Sequence, residues 1–136
     1  MLIEYLDDKA SRQLLTVVYT LSENAVDGPA SISCVDEIKV DFYDDGGLYC
    51  ILSRTLYSDP EFLSIKIVMR VIIPVKNKFK KKVDWKEYDI AKEIIGEDYL
   101  KYFSDPLGWM SLLIANLTAG FSGTPLITPV NLLLKQ

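Results

Sequence analysis

Apolar residues in this chain alternate with polar ones from residue 35 to about residue 75, and recur at helical spacing from residue 84 onward. Val35, Ile38, Val40 and Phe42 stand against Asp36, Glu37, Lys39 and Asp41, which predicts a strand over 35–42 with one solvated face. Asp44-Asp45-Gly46-Gly47 reads as a hairpin turn and leads into a second strand, Leu48–Tyr57. Ser58–Glu61, with Pro60, is another turn, and Phe62–Val75 is a long strand rich in Ile and Val with Lys66 and Arg70 on one face. Turns this short make the three strands neighbours in an antiparallel meander. Residues 13–22 fit two patterns: Leu14, Val17, Val18 and Leu21 have helical spacing, while Leu15, Val17, Tyr19 and Leu21 alternate. β-branched and aromatic residues dominate there, which selects a strand. Leu2, Ile3, Leu6 and Ala10 fit one or two helical turns over 2–10, and Asp27-Gly28-Pro29 marks a loop over Asn24–Ser31.

The second half is helical. Asp84 and Glu87 have the spacing of a capping box, and Trp85, Tyr88, Ala91, Ile94 and Ile95 form one apolar stripe behind it. Gly96 breaks the stripe, and Tyr99, Leu100, Tyr102 and Phe103 continue it. Asp105-Pro106 reads as a fresh start, N-cap then proline, for a helix over 107–119. That helix is apolar nearly all round, through Leu107, Trp109, Met110, Leu112, Leu113, Ile114 and Leu117, so it must be covered on both sides. Gly120 can end it, and Pro125 and Pro129 hold the C-terminal segment extended. Four strands and then helices make an α+β fold: a four-stranded antiparallel sheet with C-terminal helices packed on one face.

The tail also carries a family resemblance. A helix ending in Thr118-Ala119-Gly120, then a Pro- and Leu-bearing segment with Ile127, then Pro129-Val130-Asn131, resembles the C-terminal signature of the SecB protein-export chaperones. The match slips by one residue over Phe121-Ser122-Gly123-Thr124-Pro125-Leu126 and at Asp105-Pro106. The element order over 13–131 resembles the same family. The resemblance implies a cytosolic holdase, a dimer or dimer of dimers that holds non-native or partner polypeptides on apolar grooves, in protein export or toxin-antitoxin control. Members dedicated to export continue past the Val-Asn motif with another helix and an acidic tail thought to engage the SecA motor. This chain reads Leu132-Leu133-Leu134-Lys135-Gln136 there, which puts coupling to SecA in doubt and favours a local client.

Composition agrees with a binding protein. The 136 residues suit one domain, here 1–136, with a sheet over 13–75 and a helical layer and extended tail over 84–131. Hydrophobic residues make up 49%, and mean hydropathy is +0.15, more apolar surface than one small domain hides; a homo-oligomer would absorb it. No apolar run reaches the roughly 18 residues of a membrane span, and the acidic start Met1-Leu2-Ile3-Glu4 has no signal pattern, so a cytoplasmic protein with no membrane contact is expected. A net charge of −4 argues against nucleic acid as a partner.

Candidate chemistry is thin. The chain has no histidine, which removes the commonest general base and metal ligand. Asp41, Asp44 and Asp45 frame a turn without calcium-loop spacing, and Gly46-Gly47 precedes a strand, so no phosphate cradle forms. Cys34 and Cys50 read as reduced, buried small hydrophobes. Five lysines between Lys76 and Lys82 surround Phe79 and read as a solvated link. No catalysis, cofactor or metal is expected. Apolar surface remains as the functional resource, and the candidate polypeptide-binding residues are Tyr49, Tyr57, Phe62, Phe121, Leu126 and Ile127. The competing expectation is a non-catalytic scaffold subunit with one fixed protein partner.

Overall fold

Every second residue of two central strands is buried, and this alternation sets the architecture. In β3 (Gly47–Asp59) the side chains of Leu48, Cys50, Leu52 and Leu56 are shut off from solvent, and in β4 (Leu63–Pro74) those of Leu63, Ile65, Ile67, Met69, Val71 and Ile73. A slip of one residue would turn all of them outward, so the apolar pattern fixes the register. The computed structural model describes residues 1–22, 31–44, 46–122 and 125–134, with backbone only at 44 and 120–122. With β1 (Ser11–Leu21) and β2 (Ser31–Asp44), the strands form one antiparallel sheet in the order β1-β4-β3-β2. The meander expected from the short turns is β2-β3-β4; β1 pairs with β4, so β1 and β2 are the two edges.

The helices lie on the buried face. The short α1 (Ile90–Glu93) contributes Ile90 and, at its end, Ile94; the long α2 (Leu100–Ser122) contributes Tyr102, Phe103, Leu107, Met110 and Ile114. The first segment forms a 3-10 turn, Leu2–Tyr5, whose Leu2 and neighbouring Leu6 also enter this core. Among the described residues the opposite face of the sheet is open, apart from its β2 side, where Ala91, Ile95 and Leu134 flank it.

Two expected helix starts are not there. Asp105-Pro106 does not open a helix: α2 begins at Leu100 and runs through Pro106, which is itself buried. Proline inside a helix costs about 3 kcal/mol, but Tyr102, Phe103, Leu107 and Met110 on either side are all core residues. Their burial, at about 1.5–3 kcal/mol each, outweighs it. Nor does Asp84 open a capping box. Its carboxylate accepts from the Lys86 amide and starts only the 3-10 turn Trp85–Glu87, because Asp89 takes over as cap, accepting from the Lys92 amide at the head of α1. The helix end also differs: α2 reaches Ser122, two residues past Gly120, since glycine permits a stop without imposing one. The loop expected over Asn24–Ser31 falls, but for its last residue, outside the described residues; Ser31 already belongs to β2.

Candidate polypeptide-binding surfaces

β3 breaks its own pattern at one buried position: between Leu52 and Leu56 stands Arg54, with no solvent exposure. Register places it opposite Asp36 of β2, also buried. Arg54 Nε donates to Asp36 Oδ1 and Nη2 to Oδ2, each at 2.7 Å, a bidentate pair. Asp36 was expected on the solvated face of its strand. It lies instead on the core-facing side with Cys34 and Ile38, as their partners Leu56 and Leu52 show.

The remaining guanidinium donors hold the C-terminal tail. Nη1 donates to Thr128 Oγ1 at 3.1 Å and to the Pro129 carbonyl at 2.5 Å, and Nη2 to the Asn131 carbonyl at 3.0 Å. Asp36 Oδ2 accepts from the Leu133 amide, and the Asp36 amide donates to the Leu133 carbonyl, both at 2.8 Å. Leu134 thus forms a single parallel bridge on the β2 edge. At the other end of the tail, Thr118 in α2 donates to the Ile114 carbonyl and accepts from the Leu126 amide at 2.8 Å, so it turns the chain back along its own helix. Thr118, Pro129 and Asn131, three of the residues that carry the SecB resemblance, are therefore anchor points of this tail, the last two through their main chain.

The opposite edge is bare. All eleven residues of β1 are exposed, among them Leu14, Leu15, Val17, Val18, Tyr19 and Leu21. Leu14, Val17, Tyr19 and Leu21 pair with Met69, Ile67, Ile65 and Leu63, so they lie on the helix side of the sheet, yet α2 does not reach over them. Arg12 marks the boundary. Its guanidinium lies 4.5 Å from the Trp109 ring centroid and pairs with Asp105, which ties the α2 flank to the start of β1. Beyond it the outer side of α2 leaves Trp109 and Leu112 about half exposed, at 44% and 51%. The helix that must be covered on both sides is covered on only one among the described residues.

The expected binding residues do not form one cluster. Tyr49 and Tyr57 are both on the open face of the sheet but at opposite ends of β3, about 26 Å apart along the strand. Tyr49 stacks near Phe42 at 5.3 Å between ring centroids. Phe62 and Leu126 pack partly into the core, whereas Ile127, at 78%, is the most exposed of the large apolar residues described. The Phe121 side chain lies outside the described residues. Reasoning from the sequence missed Arg54, Asp36 and the β1 strip. A charge on the buried parity of each of two neighbouring strands was the signal for the first, and apolar residues on both parities of one strand the signal for the second.

A groove of about 380 Å³ joins the open face to the tail, between Val35 and Glu37 of β2, Thr55, Ile95 beyond α1, and Leu134. Among the described residues no group of three or more His, Cys, Asp or Glu could hold a metal. Burial pushes both thiols toward the protonated form, Cys50 up to about 12, so neither is an activated nucleophile at neutral pH. Among the described residues no helix is long and apolar enough to cross a membrane.

No protein-family model matches the chain, and no curated protein matches its sequence. Its fold does match a solved structure, the SecB-like chaperone Rv1957 of Mycobacterium tuberculosis in complex with a ChAD peptide from the Rv1956 HigA1 antitoxin. The TM-score is 0.53 at 12% sequence identity, over 88% of this chain and 89% of that one. The four-stranded antiparallel sheet with its C-terminal helix is a SecB-like fold.

Proposed function

We propose that this chain is a SecB-like holdase, a non-catalytic cytoplasmic protein that binds non-native or partner polypeptides on apolar surface. The observation that carries the reading is the apolar surface the chain leaves uncovered: β1 along its whole length, Trp109 and Leu112 on α2, and the open face of the sheet with Phe42 and Tyr57. Contiguous exposed apolar area on this scale is a mark of protein contact. The bare β1 edge and the outer side of α2 suit a second copy, since an edge strand and a helix flank left apolar invite pairing. That arrangement gives a homo-oligomer, a dimer or a dimer of dimers. The open face and the groove beside the tail then remain for the client, with Tyr49, Tyr57 and Ile127 among its contacts. The mycobacterial chaperone of the same fold, solved with an antitoxin peptide, supports a polypeptide ligand and a toxin-antitoxin setting over export.

The deciding experiment dilutes several unrelated, chemically unfolded proteins into buffer with this chain and follows light scattering. A holdase suppresses aggregation of all of them near equimolar oligomer. No suppression of any would overturn the proposal, and protection of one dedicated partner alone would make the chain a fixed scaffold subunit.

A further inference from the structure

The tail holds to the β2 edge by its main chain. Carbonyls of Pro129 and Asn131 accept from Arg54, and Leu133 both donates to and accepts from Asp36. The chain bends at Val130 and Asn131, and the main-chain groups of residues 129, 131 and 133 all face the Arg54–Asp36 pair. Of the tail's side chains, Thr128 alone hydrogen-bonds this hub among the described residues. Such a seat reads backbone rather than sequence, so another segment that presents carbonyls to Arg54 and an N–H and carbonyl to Asp36 would satisfy it.

The tail covers little of the β2 edge. Among the described residues it makes one bridge on a strand of fourteen residues, and its two prolines, Pro125 and Pro129, cannot donate to a ladder. Ile127 and Val130 point into solvent, and the apolar contacts given up when it leaves are those of Leu126 and Leu132, which pack only partly against the core. Departure does not strand a charge either, because Arg54 and Asp36 keep each other through both of their 2.7 Å bonds.

We infer that the β2 edge in front of the Arg54–Asp36 pair is a docking site for an extended polypeptide segment, that the tail over 125–134 is its resident occupant, and that a bound client takes the tail's place. The client's flanking side chains then enter the groove between Val35, Ile95 and the open face, which the departing Leu134 widens. This inference rests on the holdase reading and names the site at which the client is held.

The test uses the full chain, isotopically labelled, and reduced carboxymethylated α-lactalbumin as a permanently unfolded probe. Binding is followed by fluorescence anisotropy of the probe and amide exchange by NMR on the same samples. At saturation the Leu133 amide should exchange at least about tenfold faster, while the Asp36 amide stays protected by a carbonyl of the probe. Thr128→Ala, which loosens the tail without touching the ion pair, should tighten probe binding about fivefold, because less of the seat is occupied. Probe binding with unchanged Leu133 protection, or an unaltered or weakened affinity in Thr128→Ala, overturns this inference and leaves the holdase reading standing. If the probe does not bind at all, the holdase reading fails and the inference with it.

Discussion

Arg54 and Asp36 face each other across β3 and β2 with two 2.7 Å hydrogen bonds and no solvent exposure of either side chain. Removing one partner leaves the other charged and buried, which costs about 3–5 kcal/mol. Asp36→Ala should therefore lower the urea midpoint steeply or prevent folding. Replacing both, as Arg54→Met with Asp36→Leu, should recover most of that loss while freeing the tail. A single substitution with an unchanged midpoint would mean that the pair is not buried in solution.

The turn between β2 and β3 makes a second, more local demand. Gly47 has φ 152° and sits so close to β4 that a Cβ would run into the Ile73 carbonyl oxygen. The obstacle is backbone held in the β3–β4 ladder and cannot swing aside. Gly47→Ala should cost at least about 1–3 kcal/mol, and a denaturation curve matching the parent's would show that the strands approach less closely.

Alkali should weaken the fold, and the direction comes from burial. The Cys50 thiol ionises ordinarily near 9.0 but is pushed up to about 12 inside the sheet. Between those values the unfolded chain has released the proton and the folded chain has kept it, so stability falls as pH rises through this window. One such group contributes up to about 1.4 kcal/mol per pH unit. Tyr99 is also raised, first by burial and then by its hydrogen bond to Glu93, and adds to the decline above 10.0. Urea midpoints at pH 8, 9 and 10 should drop, and drop less in Cys50→Ala. Parallel declines in the two proteins would remove Cys50 as a cause.

Much of this was readable from periodicity, and the failures have physical causes. β3 and β4 are legible because both alternate without interruption from Leu48 to Leu56 and from Leu63 to Ile73, apart from Arg54. Pro106 misled because a local start signal was overruled by core burial on both of its flanks. Asp36 misled because a charge reads as solvated until its cross-strand partner is known, and the pairing with Arg54 is a long-range fact. The tail's seat was invisible for the same reason: it is built from main-chain groups of Pro129, Asn131 and Leu133, which carry no side-chain signal. The contact residues expected around Tyr49, Tyr57 and Ile127 were chosen by apolarity alone, which names exposed residues without saying which of them meet.

The β1 edge bears on assembly. Val17 and Tyr19 belong to an apolar strip on the helix side of the sheet, and both stay exposed in the single chain. Light scattering at tens of micromolar should give a mass above that of one chain. Val17→Asp should return the mass to one chain, because a charge at a buried, self-paired edge is opposed by its copy. The side chain is exposed in the single chain, so far-UV circular dichroism should not change. A parent protein of single-chain mass, or a Val17→Asp protein that keeps its size, would exclude β1 as the interface.

Client capture should depend on apolar surface and not on the lysine link. Phe42 and Tyr57 stand exposed on β2 and β3, Phe42 stacked near Tyr49, and each offers ring area that an unfolded chain can cover. Lys78, Lys80, Lys81 and Lys82 lie on the link between β4 and the helices, exposed and well hydrated. Such charges speed encounter at low salt and are screened at physiological ionic strength. Phe42→Ser with Tyr57→Ser should weaken binding of the unfolded probe about tenfold or more, given that each ring is worth roughly 1 kcal/mol or above at a contact. Both side chains are exposed, so the urea midpoint should move little. Changing the four lysines to glutamine should leave the affinity within about twofold at 0.15 M salt and slow association only when salt is removed. The reverse result, a lysine variant that loses the probe and an aromatic variant that keeps it, would make recognition electrostatic. An acidic partner seated on the link would then be the better account of this chain.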